Sequence, residues 1–174
     1  LTRHTPSSMV TWARRSLQET DHQQGILTKT IAPIIIDNNV EIDLRLKIKE
    51  LSLNLNFYGI LAIELFELLD GSILFNEIAP RPHNSFHWTM DGCDNSQFDI
   101  LIRTICGLPV KDVKCSGKWE MTNIIGEEIN NIGDIINNQD YMLHLYSKQQ
   151  TKPGRKMGHY NTCLLYTSPS PRDH

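Results

Sequence analysis

Apolar positions along this chain change period several times, and each change marks an element. Residues 9–12 (MVTW) and 25–36 (GILTKTIAPIII) are β-branched and apolar, which predicts strands, with Pro33 marking an edge or a bulge in the second. Residues 37–57 admit two readings. Val40, Leu44, Ile48, Leu51 and Leu55 recur at helical spacing, while positions 40–48 also alternate as a strand would. The length of the segment, its lack of Gly and Pro and an Asn38/Glu41 capping-box pattern favour the helix. Two apolar runs, GILAIELFELL and SILFNEIAP, flank Asp70-Gly71 and predict a β-hairpin. Residues 96–107 (SQFDILIRTICG) predict a second helix, capped by Ser96, ended by Gly107 and followed by Pro109. WEMTNIIG, YMLHLYS and KMGHYN predict short strands among turn-rich segments. The class is α+β, without internal repeats.

The hairpin carries the first chemical inference. A two-residue type I′ turn at Asp70-Gly71 pairs Leu69 with Ser72, sets Glu64 directly opposite Glu77 and places a Phe66/Phe75 pair beside them. Like charges in directly opposed positions destabilise a sheet, by up to about 1 kcal/mol. A divalent cation held between the carboxylates would compensate, and Mg²⁺ is commonly held by one or two carboxylates with substrate phosphates completing its shell. Asn76 could add an amide oxygen. A longer loop in another register would instead leave both acids solvated.

Beyond Glu77 the chain continues as IAPRPHNSFH. Pro80 and Pro82 exclude helix and hold the segment extended. Arg81 offers a planar fork of donors for a carboxylate or phosphate, and His83 can move a proton near neutral pH. Asn84 and Ser85 are short neutral partners, and His87 follows. An anion-binding cluster beside a metal pair is the arrangement phosphoryl transfer requires, since the charge on the transferred group must be neutralised and the acceptor held in line. A second basic cluster, Lys148, Lys152, Arg155 and Lys156, surrounds a Pro-Gly turn. It reads either as a phosphate site or as a solvated basic loop.

Composition narrows the classes. With 174 residues, 40% hydrophobic and 21% charged, the chain suits one folded domain or part of a larger one. A net charge of −3 argues against nucleic-acid binding, and no apolar run approaches the roughly 18 residues a membrane span needs. The opening residues lack the apolar core of a signal peptide. The four cysteines form no C-x-x-C pair, so neither a zinc site nor a disulfide framework is expected, and a reduced, cytoplasmic setting follows.

NEIAPRPHNSFHWT, preceded by ELFELLDGSILF and followed by SQFDILIRTICGLP and KPGRKMGHYN, resembles the 5-(carboxyamino)imidazole ribonucleotide synthases, ATP-grasp ligases of purine biosynthesis. HQQGILTKTIAP matches more weakly. The resemblance runs from about residue 9 to 161. It implies the C-terminal half of an ATP-grasp domain (residues 1–110, an antiparallel sheet with helices) and the start of a small β-rich C-terminal domain (111–161). It further implies ATP-dependent carboxylation of 5-aminoimidazole ribonucleotide by bicarbonate, through carboxyphosphate, in an enzyme that is typically dimeric. By position, Glu64 and Glu77 match magnesium ligands, and Asn76 with Glu77 matches an ATP-contacting pair. Arg81, His83 and Asn84 match residues facing the reactants, with Ser85 beside them at the substrate. Lys148 and Arg155 match the grip on the ribonucleotide phosphate, with Lys156 as a neighbour.

The departures are informative. Phe86 stands where the family has glycine, so either the loop backbone differs or the ring turns outward. Residues 162–174 match nothing in the family, show no periodicity and are set aside. Leu1 opens the chain without methionine, and the part of the fold that grips adenine is missing from the resemblance. The chain therefore reads as a piece, inactive alone. Competing readings are another ATP-grasp carboxylase or ligase, which would lack the PGRKMGH cluster, and a non-catalytic anion-binding module.

Overall fold

The computed structural model describes residues 7–12, 16–68 and 70–164. Among them eight strands form one sheet: β1 (Ser7–Trp12), β2 (Ser16–Gln23), β3 (Ile26–Ala32), β4 (Leu61–Glu67), β5 (Ile73–Ala79), β6 (Lys118–Ile125), β7 (Tyr141–Leu145) and β8 (Lys156–Leu164). Their spatial order is β5-β4-β1-β2-β3-β6-β8-β7, and every neighbouring pair is antiparallel. Helices α1 (Asn38–Asn54), α2 (Thr89–Gly92), α3 (Gln97–Ile105) and α4 (Gly133–Asn137) complete the architecture. It is an antiparallel sheet with helices, the expected mixed class. The strands assigned by sequence to a separate C-terminal domain continue this sheet through the β3–β6 pairing. No helix among the described residues is long and apolar enough to cross a membrane.

The helical reading of residues 37–57 is the observed one, for a reason the spacing supplies. Leu44 and Ile48 of α1 pack on Leu17, Leu61, Ile63 and Leu65, with Val40 and Leu51 at the margin of that core. The cap lies one residue earlier than expected. Asp37, not Asn38, accepts the backbone N–H groups of Asn39 and Val40, because its carboxylate reaches both free donors of the first turn. The predicted strand 25–36 stops at Ala32, so Pro33 ends the ladder and neither edges nor bulges it. For α3 the expected cap is present: Ser96 and Asp99 form a reciprocal capping box.

A second core lies under the C-terminal half of the sheet, formed by Leu27, Ala32, Trp88, Trp119 and Met121. Trp88 is fully buried, and its indole N–H donates to the buried Gln18 (2.9 Å). A Cβ added at Gly92 would lie 2.8 Å from both Trp88 and Trp119, so no side chain larger than hydrogen fits between the two indoles.

Two expectations are corrected here. Cys93 and Cys115 are bonded as a disulfide, although no spacing rule pairs them; they face one another in an isolated antiparallel bridge, and that proximity belongs to the fold and not to the sequence. β8 runs to Leu164, so Thr162, Cys163 and Leu164 of the segment set aside pair with Glu120, Trp119 and Lys118. The remainder of that segment lies outside the described residues.

Candidate active site at the edge hairpin

Glu64 on β4 does face Glu77 on β5, but not through the expected turn. Leu68 N–H donates to Ser72 O (2.8 Å) and Gly71, at φ +80°, donates to Leu68 O (2.9 Å). This turn is longer by one residue than a type I′ pair, and it shifts the neighbouring register so that Phe66 faces Leu74 and Phe75 faces Leu65. The expected Phe66/Phe75 pair is therefore absent, and the expected Leu69–Ser72 pair involves Leu69, outside the described residues. A β-bulge at Asn76 then restores the register: an extra residue on β5 brings Glu77 opposite Glu64 again. The bulge has a chemical consequence. In a regular strand Asn76 and Glu77 would point to opposite faces; here Asn76 Nδ2 donates to Glu64 Oε2 at 2.9 Å, so all three side chains meet on one side. That side is the face away from α1, since Ile63 and Leu65 take the other.

The loop after β5 folds back across this face. His83 is buried, and its Nε2 lies 3.4 Å from Glu64 Oε1 and 3.5 Å from Glu77 Oε1. Gln97, at the start of α3, grips the backbone of His83 from both sides: His83 N–H donates to Gln97 Oε1 (2.8 Å), and Gln97 Nε2 donates to His83 O (2.9 Å). Ser85, expected at the substrate, is fully buried with its hydroxyl 2.9 Å from His83 Nδ1, so it acts on the histidine ring. Phe86 is buried in the 3-10 turn Asn84–Phe86, the reverse of turning outward. Asn84 and Asn123 exchange amide hydrogen bonds (2.9 and 2.6 Å), and Asn123 also donates to Leu27 O, which ties the loop to β6 and β3.

Charges from four segments converge on the carboxylates. Burial, and then the Glu77 charge, push the Glu64 carboxyl above its usual range, with Asn76, Lys156 and Arg81 opposing. Burial lowers Lys156, and Lys148 and Arg81 add to this while Glu64 and Glu77 resist. Burial likewise keeps His83 below the ordinary histidine value, helped by Arg81 and Lys156. His22, at the end of β2, is lowered by burial and by Lys156 while it feels Glu77 in the opposite sense, so it belongs to the same cluster. Lys148 Nζ donates to Lys156 O (2.6 Å) and lies 5.4 Å over the Tyr146 ring. Arg81 donates to Pro82 O (3.1 Å) and is exposed, and Arg155 donates to Gln150 O across the basic loop (3.2 Å). Lys156 thus stands at the carboxylates and not merely beside the basic turn. Gln97 and His22 carried no signal in composition or periodicity; HQQGIL was the one stretch that pointed toward His22.

Gln97→Ala leaves a buried N–H and a buried C=O of His83 without partners. We expect a loss of about 1–3 kcal/mol, read from urea unfolding followed by circular dichroism. An unchanged midpoint would mean that water takes over both bonds.

A histidine cluster backs the loop. Tyr146 O–H donates to His159 Nδ1 (2.8 Å), and burial raises this phenol to about 12. His144 Nε2 and Asn161 Nδ2 both lie against Asp91 Oδ2, and His144 stacks on His159 at 4.7 Å. Burial lowers His87 to about 4 and His159 to about 3. Both rings are neutral in the folded chain at pH 5, whereas in the unfolded chain each protonates near 6.5. The unfolded state then binds more protons, and stability falls as pH drops from about 6.5 toward 4. Each ring costs on the order of 2 kcal/mol at pH 5, and Glu64, with its raised carboxyl, offsets part of this. Urea midpoints at pH 7.5 and 5.0 test the sign; a higher midpoint at pH 5.0 would contradict it.

Comparisons with known proteins agree with this geometry. Residues 2–98 match the ATP-grasp domain, and residues 120–165 match the phosphoribosylaminoimidazole carboxylase C-terminal domain. The N5-carboxyaminoimidazole ribonucleotide synthase of Brucella melitensis is 38% identical over 143 residues, 82% of this chain and 40% of that protein. The crystal structure of N5-carboxyaminoimidazole synthetase from Staphylococcus aureus superposes with a TM-score of 0.82 at 30% identity, covering 94% of this chain and 46% of that one. The Aspergillus clavatus synthase in complex with ADP and 5-aminoimidazole ribonucleotide gives 0.76 at 29% identity, covering 92% and 47%. The chain spans less than half the length of the relatives it matches. With its metal-ready hairpin, its loop and its matched segments, the chain belongs to the ATP-grasp family, on the branch that carries the phosphoribosylaminoimidazole carboxylase C-terminal domain.

Proposed function

We propose that this chain supplies the carboxyl-transfer half of an N5-carboxyaminoimidazole ribonucleotide synthase. Bicarbonate takes the γ-phosphoryl group of ATP, giving carboxyphosphate and ADP. The amine of 5-aminoimidazole ribonucleotide then attacks the carboxyl carbon; a C–N bond forms, phosphate leaves with the C–O electron pair, and the amine loses a proton. The observation that supports this most is the convergence of Glu64, Asn76 and Glu77 with His83, Arg81 and Lys156 on one face. Two opposed carboxylates with a neutral ring nitrogen fit a divalent cation such as Mg²⁺, which when bound would offset the phosphate charge; Glu64 and Glu77 would hold it. Asn76 holds Glu64 in place, and with Glu77 stands where ATP phosphates approach. Arg81 and Lys156 supply positive charge for the carboxylate and phosphoryl oxygens. Lys148 and Arg155, on the loop that Lys156 closes, fit the ribonucleotide phosphate. Ser85 and Asn84 act through the loop: one fixes the His83 ring, the other anchors the turn to Asn123. A cytoplasmic, dimeric enzyme is the setting this reading implies.

The test is ATP hydrolysis by the complete polypeptide. It is expected only when both the aminoimidazole ribonucleotide and bicarbonate are present, and none is expected from the 174 residues alone. Hydrolysis that ignores the ribonucleotide would reject the assignment.

A further inference from the structure

Three donor atoms at the hairpin surround a common point. Glu64 and Glu77 each offer a carboxylate oxygen and His83 offers Nε2, and all three lie within 4.8 Å of one another. The contacts from Nε2 to the two carboxylates, 3.4 and 3.5 Å, are longer than the roughly 2.7–3.2 Å of an N–H···O hydrogen bond, so the three groups face a gap without closing on each other. The ring is not free to turn away. Gln97 fixes its backbone on both sides, Ser85 Oγ holds Nδ1, and only 9% of the residue is exposed. With Nδ1–H donating to Ser85 Oγ, the Nε2 lone pair points at the carboxylates. A histidine whose second nitrogen is tied down and whose first looks into a carboxylate pair has the orientation of a metal ligand.

We propose that His83 is a third metal donor, so that the site is a two-carboxylate, one-imidazole set favouring Mn²⁺ or Zn²⁺ over Mg²⁺. This rests on the reading of Glu64 and Glu77 as the metal pair. Mg²⁺ demands near-octahedral oxygen coordination and keeps its waters, whereas imidazole nitrogen suits later divalent ions, whose affinities rise along the first-row series. Ser85 is the positioning residue, since it sets which nitrogen carries the proton.

Mn²⁺ alone, added to the 174-residue chain, is the probe. Free Mn²⁺ counted by its electron paramagnetic resonance signal gives the affinity, and pulsed measurements on the bound ion report any directly bonded ¹⁴N. The expected result is one bound Mn²⁺ with a ¹⁴N coupling, displaced by Zn²⁺ at lower concentration than by Mg²⁺. His83→Asn should abolish the coupling and weaken binding about tenfold, the scale on which a metal-site partner acts. Glu64→Gln should weaken binding further. Bound Mn²⁺ that shows no ¹⁴N coupling in the parent chain, or keeps it in His83→Asn, overturns the inference while leaving the carboxylate pair intact. Absence of Mn²⁺ binding, or binding unchanged in Glu64→Gln, overturns the carboxylate reading and the inference with it. The parent chain's spectrum decides the main point even where a variant fails to fold.

Discussion

Glu77→Gln in the complete polypeptide is expected to lower kcat for ribonucleotide-dependent ATP hydrolysis by at least 10–100-fold while leaving the fold intact. The lower bound is the cost of disturbing a group that merely supports a metal ligand, and a direct ligand should cost no less. The fold should tolerate the change because the Glu77 side chain is about half exposed and sits on an edge strand, so glutamine keeps its volume and its solvation. Removal of the charge also relieves Glu64, whose carboxyl is raised first by burial and then by Glu77. The loss of like-charge repulsion across the hairpin is worth at most about 1 kcal/mol, in the stabilising direction. Activity and stability should therefore separate: turnover collapses and the urea midpoint stays or rises. Turnover within twofold of the parent enzyme would remove Glu77 from the metal site.

The placement of Glu64 opposite Glu77 was legible in the sequence, yet the reason given for it was not the operative one. A two-residue turn was expected, and the hairpin instead closes through Gly71 with a longer turn. A bulge at Asn76 cancels that difference. Apolar alternation cannot register a bulge, since one inserted polar residue between Phe75 and Glu77 reads as ordinary strand. β2 was overlooked for a related reason. SLQETDHQ shows no apolar period because Gln18 and Thr20 occupy buried positions that pattern reading reserves for hydrophobic side chains. Gln18 is buried because it accepts the Trp88 indole N–H, a contact across 70 positions. Gln97 was likewise read only as the first residue of a helix, whereas its amide holds the backbone of His83. The amphipathic face of α1 and the cap of α3 were legible because both are local: each depends on residues within two turns. The site residues supplied by resemblance were positions in a motif, and only the folded loop divides them into groups that face the carboxylates and groups, Ser85 and Asn84, that hold those in place.

Trp88→Ala is expected to be the most destabilising single change in the chain. Trp88 is fully buried and packs with Leu27, Ala32, Trp119 and Met121. Truncating a core tryptophan costs about 3–5 kcal/mol through lost transfer energy and the cavity left behind. The buried Gln18 amide also loses its donor, which adds about 1–3 kcal/mol. The sum approaches or exceeds the 5–15 kcal/mol that separates a typical folded domain from its unfolded state, so the variant should be largely unfolded at 37 °C. Trp88→Phe separates the two contributions. It keeps an aromatic ring in the core and removes the N–H, so its loss should be markedly smaller than that of Trp88→Ala. The consequence reaches the candidate site directly. Residues 84–92 fold over the sheet between two anchors, the Asn84–Asn123 amide pair and the Trp88 indole. Loss of the second anchor frees the segment that carries His83 and Ser85. Urea unfolding of the parent chain and both variants, followed by far-ultraviolet circular dichroism, gives the three midpoints. Equal midpoints for Trp88→Ala and the parent would mean that this core can collapse around the missing ring, and would remove Trp88 as the anchor of the loop.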